Sequence, residues 1–224
     1  QHSMNMSKDT PWDAAVFGMY TAEILEYSEA TLQETSRIPG HYTIKVDPLS
    51  DKRLLHEYGF YYCDTLVVPS CTAQKLVQIA HPDATILKQI AWDDLLPICH
   101  GAFVHGRFHR DFNLEKRGAD LRYDQWLKQF HGNDAVYGLY WRNELAGFIA
   151  HDANNLVLHA LTENQRGRGR AKYWWSAVSS DLLAMGHDDV RSSISAANLS
   201  ALNLYASLGF TFCQSIDVYH RRIV

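Results

Sequence analysis

Gln165-Arg166-Gly167-Arg168-Gly169-Arg170-Ala171 follows an apolar run at 156–161 and precedes an amphipathic segment that ends near Gly186. A strand, a glycine-rich turn and a helix in this order form an anion-binding cradle. The first N–H groups of the helix lack intrahelical partners, and the helix dipole is positive at the same end. The two glycines let the backbone approach a phosphate without an intervening Cβ. Because arginines and Lys172 surround this turn, the stretch predicts a binding site for a pyrophosphate group.

Other phosphate-binding turns fit this stretch less well. A Walker loop requires Gly-Lys followed by Ser or Thr, and this stretch has none. A Rossmann fingerprint requires three glycines early in a βαβ unit and an acidic residue about 20 positions later. Asp188 and Asp189 lie near that distance, but the turn stands in the last third of the chain, with room for one more helix. Taken alone, the stretch is also compatible with an arginine-rich surface turn before an ordinary helix.

A second informative element runs from Asn198 to Phe210. Asn198 is a favourable N-cap, and Gly209 stands where a helix C′ residue in the left-handed region belongs. Ala201 and Tyr205 are four positions apart, so they share one helix face. The element therefore predicts a short helix followed by a strand.

Together, the two elements resemble the acetyl-CoA site of the GNAT N-acetyltransferases, in order and in separation. The motifs that carry the resemblance are Arg166-x-x-Gly169-x-Ala171 and Asn198-x-x-Ala201-x-x-x-Tyr205-x-x-x-Gly209-Phe210. The first is similar to the pyrophosphate loop of that superfamily, and the second to its second cofactor helix and the strand after it. The resemblance implies an α/β fold with a mostly antiparallel central sheet and helices on both faces, and acetyl-CoA as cosubstrate.

The resemblance also implies roles for individual residues. The cofactor-binding set is Leu161, Arg166, Gly167, Arg168, Gly169, Arg170, Ala171, Asn198 and Ala201. Tyr205 is the expected general acid for the departing thiolate, because a phenol with its ordinary pKa of about 10 stays protonated at neutral pH. Simple packing on its helix face is the structural alternative. His159 is a candidate general base and His151 a weaker one, although a water chain could also carry the amine proton.

Motifs outside the cofactor half resemble one group of the superfamily, the dTDP-fucosamine acetyltransferases. They include Pro11-Trp12-Asp13, Tyr58-Gly59-Phe60, Gly106-Arg107-Phe108-His109-x-Asp111, Tyr123-x-x-Trp126-Leu127 and Tyr219-His220-Arg221. This resemblance implies a nucleotide-linked amino sugar as acceptor. Its expected binding residues are Arg107, Phe108, His109 and Asp111, since Arg suits bidentate phosphate binding and Phe can stack on a base or sugar. A structural role, with Arg107 paired to Asp111 and Phe108 in the core, is equally open.

Composition narrows the function classes. Hydrophobic residues make up 46% of the chain and charged residues 21%, as in ordinary globular proteins. Apolar runs are far too short for a membrane span, and no secretory signal is visible. A net charge of −4 argues against nonspecific nucleic-acid binding. The four cysteines show no C-x-x-C spacing, which predicts reduced thiols, a cytoplasmic protein and no metal site. Gln1-His2-Ser3 before Met4 is interpreted as a cloning remnant.

Two domains are predicted, a partial GNAT-like domain at 1–82 on the acceptor side and an acetyltransferase domain at 83–224. The N-terminal part is expected to contain extended segments at 14–25 and 41–46, a helix at 49–58 and a strand at 60–68, as a βαβ-like piece. The predicted elements of the second part are strands at 86–90, 135–142, 145–151, 156–161 and 190–195, and helices at 92–102, 119–129 and 171–185.

Three functions remain open on the sequence alone. The first is transfer of an acetyl group to a dTDP- or UDP-linked amino deoxysugar for cell-surface polysaccharide, by direct attack of the amine. The second is acetylation of another amine, such as an antibiotic, a polyamine or a peptide. The third is a non-catalytic acyl-CoA sensor, which the presence of Tyr205 disfavours. A homodimer is implied only by the family.

Overall fold

The computed structural model describes residues 6–224, so the Gln1-His2-Ser3 interpretation lies outside the described residues. The strands are β1 (Ser7–Asp9), β2 (Thr21–Ile24), β3 (Gly40–Val46), β4 (Tyr61–Thr72), β5 (Ala84–Leu87), β6 (Val136–Trp141), β7 (Glu144–Asp152), β8 (Asn155–Leu161), β9 (Asp189–Ser192), β10 (Ile194–Ser195) and β11 (Thr211–Ile223). The helices are α1 (Pro11–Phe17), α2 (Glu29–Thr35), α3 (Arg53–Glu57), α4 (Trp92–Cys99), α5 (Lys116–Gly132), α6 (Ala171–Ala184) and α7 (Leu199–Ser207).

The chain folds into two compact units. Of the described residues, unit 1 comprises 6–66, Val104–Arg122 and Ser215–Val224, and unit 2 comprises Val67–Phe103 and Tyr123–Gln214. Both units are therefore discontinuous in sequence, and neither ends at the boundary predicted between 82 and 83. The division into two domains at this boundary therefore remains a prediction. Across 6–224, none of the helices combines the length and apolar character that a membrane crossing requires.

Unit 2 contains a mostly antiparallel sheet in the order β4-β9-β8-β7-β6-β5, in which only β8 and β9 pair in parallel. Successive residues of β7 point to opposite faces, as strand geometry requires. Phe148 and Ala150 pack with Leu95 of α4 and Leu127 of α5, whereas Ile149 packs in the cluster that includes α6 and α7. Helices therefore cover both faces of this sheet, which confirms the predicted fold class.

Most predicted elements of unit 2 are present, with shifted ends. β6 and β7, predicted as strands at 135–142 and 145–151, form a hairpin, and Arg142 and Asn143 at its turn both have positive φ values, 50° and 67°. This conformation matches the twist of a two-residue hairpin turn. The strand predicted at 190–195 is interrupted and forms β9 and β10. Gly209 has the positive φ predicted for a helix C′ residue, and Gly167 and Gly169 of the glycine-rich turn also have positive φ.

Unit 1 differs more from the prediction. Its sheet order is β1-β2-β3-β11-β4, and its parallel pair is β2 with β3, joined through α2. The βαβ piece is therefore β2-α2-β3, whereas the sequence predicted one built around the helix at 49–58. The extended segment predicted at 14–25 is wrong over its first half. Pro11 opens α1 and Gly18 ends it in the left-handed conformation at φ 68°, both recognised helix boundary signals.

The contact of Gly209 with a neighbouring turn gives a stability prediction. Gly209 has φ 93°, and a Cβ there would lie 2.1 Å from the backbone oxygen of Lys75. The same turn is held by Val77, whose N–H donates to the oxygen of Leu208 at 2.9 Å. Gly209→Ala should therefore lower the free energy of unfolding by about 2 kcal/mol, measured by urea titration.

The matched control for this prediction is Gly186→Ala. Gly186 has a similar φ of 103°, but no atom lies within 4 Å of a Cβ built there. This variant should lose only the cost of the backbone conformation, about 1 kcal/mol. Equal losses in the two variants would show that the Lys75 contact carries no weight.

Candidate active site

Strands β8 and β9 part after a short parallel pairing. Their register contains only Asn155 opposite Arg191 and Leu156 opposite Ser192 among the described residues. β8 then continues to Leu161, with an irregularity near Val157 because Ala150 pairs with Leu158 but His151 pairs with Leu156. A strand that leaves its neighbour exposes backbone N–H and C=O groups, which an extended ligand can bind. Residues 158–161, which end at the predicted cofactor-binding Leu161, lie on this parted segment.

The glycine-rich turn connects the end of β8 to α6. Gly167 and Gly169 have φ values of 71° and 69°, and no atom lies within 4 Å of a Cβ built at either position. α6 begins at Ala171, and its N-cap residue, Arg170, makes no side-chain capping bond. The first N–H groups of α6 are therefore not capped by that side chain, and a phosphate could accept from them. The strand, turn and helix follow one another in the predicted order, and the phosphate site remains a prediction.

The cationic side chains of the turn are partly engaged within the protein. Arg166 donates from Nε to the oxygen of Leu161 at 3.1 Å. Arg170 donates to Gln165 Oε1 at 2.9 Å, and its guanidinium lies 3.8 Å from the centre of the Trp141 ring. Arg168 is exposed. Contacts of these kinds hold Arg166 and Arg170 close to the turn, where they add positive charge to the cradle.

The second predicted element places Tyr205 in the interior of unit 2. Asn198 caps α7, since its Oδ1 accepts from the N–H of Ala201 at 3.3 Å. One turn later Tyr205 is fully buried, and the Trp175 indole N–H donates to its phenol oxygen at 3.3 Å. Burial raises the pKa of Tyr205 to about 12, although a hydrogen bond with Ser192 opposes the rise. Ser192 is the last residue of β9 paired with β8, so the phenol lies at the point where the strands part.

His159 lies beside this phenol on β8. Its ring centre is 6.0 Å from that of Tyr205 and 5.0 Å from that of Trp175. Burial lowers the pKa of His159 to about 4, so the imidazole is neutral at pH 7. A neutral imidazole has a lone pair, but a conjugate acid of so low a pKa makes it a weak base. The position of His159 beside Tyr205 is compatible with a role as general base, but its low basicity does not favour that role.

The predicted acceptor-binding residues belong to unit 1. Phe108 is buried, its ring centre is 5.6 Å from that of Phe17, and the Arg107 guanidinium lies 4.1 Å above it. Arg107 also donates to Thr43 Oγ1 at 2.7 Å and to His220 Nε2 at 3.1 Å. His109 contacts Asp120 Oδ1 at 2.7 Å. These three side chains thus have partners within unit 1.

Asp111 is the centre of a buried hydrogen-bonded cluster. Its Oδ2 lies 2.7 Å from His41 Nε2 and 2.7 Å from His220 Nδ1, and the Tyr61 phenol donates to its Oδ1 at 2.8 Å. Burial alone would raise the pKa of Asp111, but the bonds from His220 and His41 outweigh it and hold this pKa well below its usual range. Asp111 is therefore a buried carboxylate. His220 lies between it and Arg107, instead of the direct Arg107–Asp111 pair that the sequence left open.

His41, Asp111 and His220 together have the residue types of a metal site. The positions of the hydrogen-bond donors and acceptors around His220 favour a hydrogen-bonded cluster over a metal site. Arginine only donates, so His220 Nε2 must accept from Arg107, and the ring proton then lies on Nδ1, facing Asp111. A metal-bound His220 would instead need Nδ1 as a lone pair and would direct an N–H at the guanidinium.

A cavity of about 370 Å³ opens in unit 2 beside the end of β8. Its lining combines the parted strand and turn with the end of α4, and includes Leu161, Glu163, Arg166, His100 and Gly101. Leu161 and Arg166 belong to the predicted cofactor-binding set. His100 was not singled out from the sequence, because a histidine after an unremarkable amphipathic helix has no distinguishing pattern.

The sequence and the fold are similar to known acetyltransferases. Residues 113–221 match the family model of the acetyltransferase (GNAT) domain. A GCN5-related N-acetyltransferase from Sphaerobacter thermophilus superposes with a TM-score of 0.65 at 12% identity, covering 97% of this chain and 76% of that one. A GNAT-family acetyltransferase from Colwellia psychrerythraea gives a TM-score of 0.54 at 14% identity, covering 89% and 77%.

A tandem GNAT protein from the clavulanic acid biosynthesis pathway gives a TM-score of 0.58 at 12% identity, covering 91% of this chain and 75% of that one. No curated protein matches the sequence significantly. At these identities the solved structures show the fold, and the family model matches just under half of the chain. The chain thus has the fold of the GNAT acetyltransferase structures, and its residues 113–221 match the acetyltransferase (GNAT) domain model.

Proposed function

We propose that the protein transfers an acetyl group from acetyl-CoA to the amino group of a nucleotide-linked amino deoxysugar. One observation carries the acetyl-CoA part of this proposal. The parted strands β8 and β9, the glycine turn before α6 and the phenol of Tyr205 come together in unit 2. A parted strand offers backbone groups to an extended arm, and the turn offers N–H groups to a pyrophosphate.

In this proposal each part of the site has a distinct task. The N–H groups at the start of α6, with Arg166, Arg168 and Arg170, hold the pyrophosphate. Backbone groups of 158–161 bind the pantetheine arm, and an N–H near Leu161 polarises the thioester carbonyl. Tyr205 donates its proton to the sulfur as the amine attacks the carbonyl carbon directly. His159 is retained as a candidate base, with the low basicity described above.

The sugar-nucleotide acceptor rests on the resemblance of the N-terminal motifs to the dTDP-fucosamine acetyltransferases. Arg107 remains the best candidate within its segment for holding a diphosphate. That guanidinium already donates to Thr43 and His220, so a diphosphate would have to compete with both bonds. Phe108 and Asp111 are buried, and direct contact with a sugar would require their segment to move.

The decisive experiment measures free-thiol release from acetyl-CoA with dTDP- and UDP-linked amino sugars, and with polyamines, aminoglycosides and peptides alongside. We expect rapid turnover confined to one sugar nucleotide. Turnover only with the other amines would reject the sugar acceptor and keep the acetyltransferase. Tight CoA binding without turnover on any amine would favour the sensor function.

A further inference from the structure

We propose that His100 is the general base that accepts the proton of the acceptor amine, and that Asp124 is its positioning residue. This inference rests on the proposed acetyltransferase function and adds a residue to it. His100 lies outside both the matched GNAT domain region and the residues predicted from the sequence. It shares the wall of the 370 Å³ cavity with Leu161 and Arg166.

The two side chains form a close pair of unequal exposure. His100 Nδ1 lies 2.6 Å from Asp124 Oδ2, and the exposed fractions of the side chains are 54% and 9%. Asp124 therefore anchors the imidazole from the protein interior, while the ring itself is open to the cavity. The other carboxylate oxygen, Asp124 Oδ1, is buried and has no hydrogen-bond partner among the described residues. The contact with His100 Nδ1 is thus the hydrogen bond found for the Asp124 carboxylate.

The local backbone explains how His100 reaches the cavity. α4 ends at Cys99, and His100 has an extended conformation at φ −62° and ψ 120°. Gly101 then turns the chain at φ 76°, a conformation that glycine adopts without strain. Asp124 lies on the middle of α5, a rigid element. An imidazole held through Nδ1 by a carboxylate is the arrangement found in catalytic histidine–carboxylate pairs.

The bond to Asp124 also sets the protonation pattern needed for a base. A carboxylate only accepts, so the ring proton of neutral His100 lies on Nδ1 and the Nε2 lone pair is the position that receives a proton. When Nε2 is protonated, the Asp124 charge stabilises the imidazolium. His159, by contrast, has rings rather than a carboxylate beside it, and burial lowers its pKa to about 4.

The proton and electron changes balance without another reactant. The amine nitrogen lone pair forms the C–N bond, and the C–S bond breaks with its electron pair on sulfur. The nitrogen proton passes to His100 Nε2, and the Tyr205 phenol supplies a proton to the sulfur. Both residues then return to their starting states through solvent. The charged groups that share the cavity wall with His100 are Glu163 and Arg166, in addition to Asp124 behind it.

The first test measures turnover of His100→Ala and Asp124→Asn with the acceptor that the thiol-release experiment identifies. We expect kcat to fall about 10²-fold in His100→Ala and about 10-fold in Asp124→Asn, with KM for acetyl-CoA unchanged within threefold. Added imidazole should restore at least a tenth of the lost rate to His100→Ala. A His100→Ala rate within threefold of the original, or a loss that imidazole does not restore, would overturn the proposal. His56→Ala, at an exposed histidine of α3 in unit 1, is the control and should keep full activity.

The second test needs no acceptor. Diethyl pyrocarbonate modifies accessible imidazoles, and peptide mass spectrometry locates each modified ring. CoA should slow the modification of His100 at least fivefold and leave that of His56 unchanged. CoA binding without protection of His100 would overturn the placement of the base and leave the acetyltransferase function standing. Absence of CoA binding would instead overturn the proposed function itself.

Discussion

A Tyr205→Phe variant is expected to lose about 10³-fold in kcat while its Kd for CoA changes by less than threefold. The substitution removes one oxygen from a fully buried side chain and preserves the ring that packs 4.9 Å from Phe210. In the proposed mechanism this oxygen carries the proton for the thiolate, and general acid catalysis contributes about 10²- to 10⁴-fold. The hydrogen bonds of the phenol with Trp175 and Ser192 are lost as well. Because burial raises the pKa of Tyr205 to about 12, the phenol is protonated throughout the neutral range. Steady-state thiol release and calorimetric CoA binding would measure the two quantities.

Tyr137→Phe is the matched control for this variant. Tyr137 is another buried tyrosine of unit 2, and its phenol donates to Asp181. Both variants lose one buried hydroxyl, so both should lose about 1 kcal/mol of stability. Only Tyr205→Phe should lose activity. Unchanged turnover in Tyr205→Phe would remove Tyr205 from the mechanism, and equal losses in the two variants would point to a general effect of losing a buried hydroxyl.

The turn at Gly167 and Gly169 and the helix α7 could be predicted because their signals are local. Asn198 and Gly209 act within their own helix, as cap and C′ residue, and Gly167 and Gly169 act within one turn. Each signal needs only a few neighbouring residues to have its physical effect.

The errors in unit 1 have a different origin. The sequence pattern predicts an extended segment at 14–25, whereas α1 occupies Pro11–Phe17, and Pro11 and Gly18 mark its two ends. α2 begins after an N-cap, since Ser28 Oγ accepts from the N–H of Thr31 at 3.2 Å, and this helix is absent from the elements predicted above. Tertiary pairing then decided the rest. β2 pairs in parallel with β3, a choice that no local pattern specifies.

The side-chain clusters could not be predicted because their members are distant in sequence. Asp111 contacts His41 across 70 residues and His220 across 109. The sequence grouped Asp111 with Arg107 and His109 as one motif, whereas the fold distributes their partners over β3, α5 and β11. His100 and Asp124 are 24 residues apart on separate elements. A motif identifies such residues, but only the fold shows which of them meet.

The buried cluster of unit 1 is expected to make the protein lose stability in mild acid. Burial lowers the pKa of His220 from 6.5 to about 3, and the neighbouring Arg107 guanidinium acts in the same direction. Below pH 6.5 the unfolded chain binds a proton at His220, whereas the folded chain does not until about pH 3. The free energy of unfolding therefore falls as the pH decreases from 6.5 to about 3. One proton corresponds to about 1.4 kcal/mol per pH unit. His220 alone should therefore lower the free energy of unfolding by about 3 kcal/mol between pH 7 and pH 4.5, measured by urea titration.

His220→Gln isolates this contribution. Glutamine has a donor and an acceptor for Asp111 and Arg107 but no proton to gain in this range. The variant should be less stable at pH 7. Its free energy of unfolding should nevertheless fall less steeply as the pH decreases, with a slope smaller by the equivalent of about one bound proton. The remaining slope belongs to other groups, including His159, whose pKa is also lowered by burial. Asp111, whose lowered pKa keeps it ionised in the fold, adds its loss only below about pH 4. Parallel pH curves for variant and original protein would contradict a neutral, buried His220. A shallower curve would show that the Arg107–His220–Asp111 order requires this imidazole to stay unprotonated.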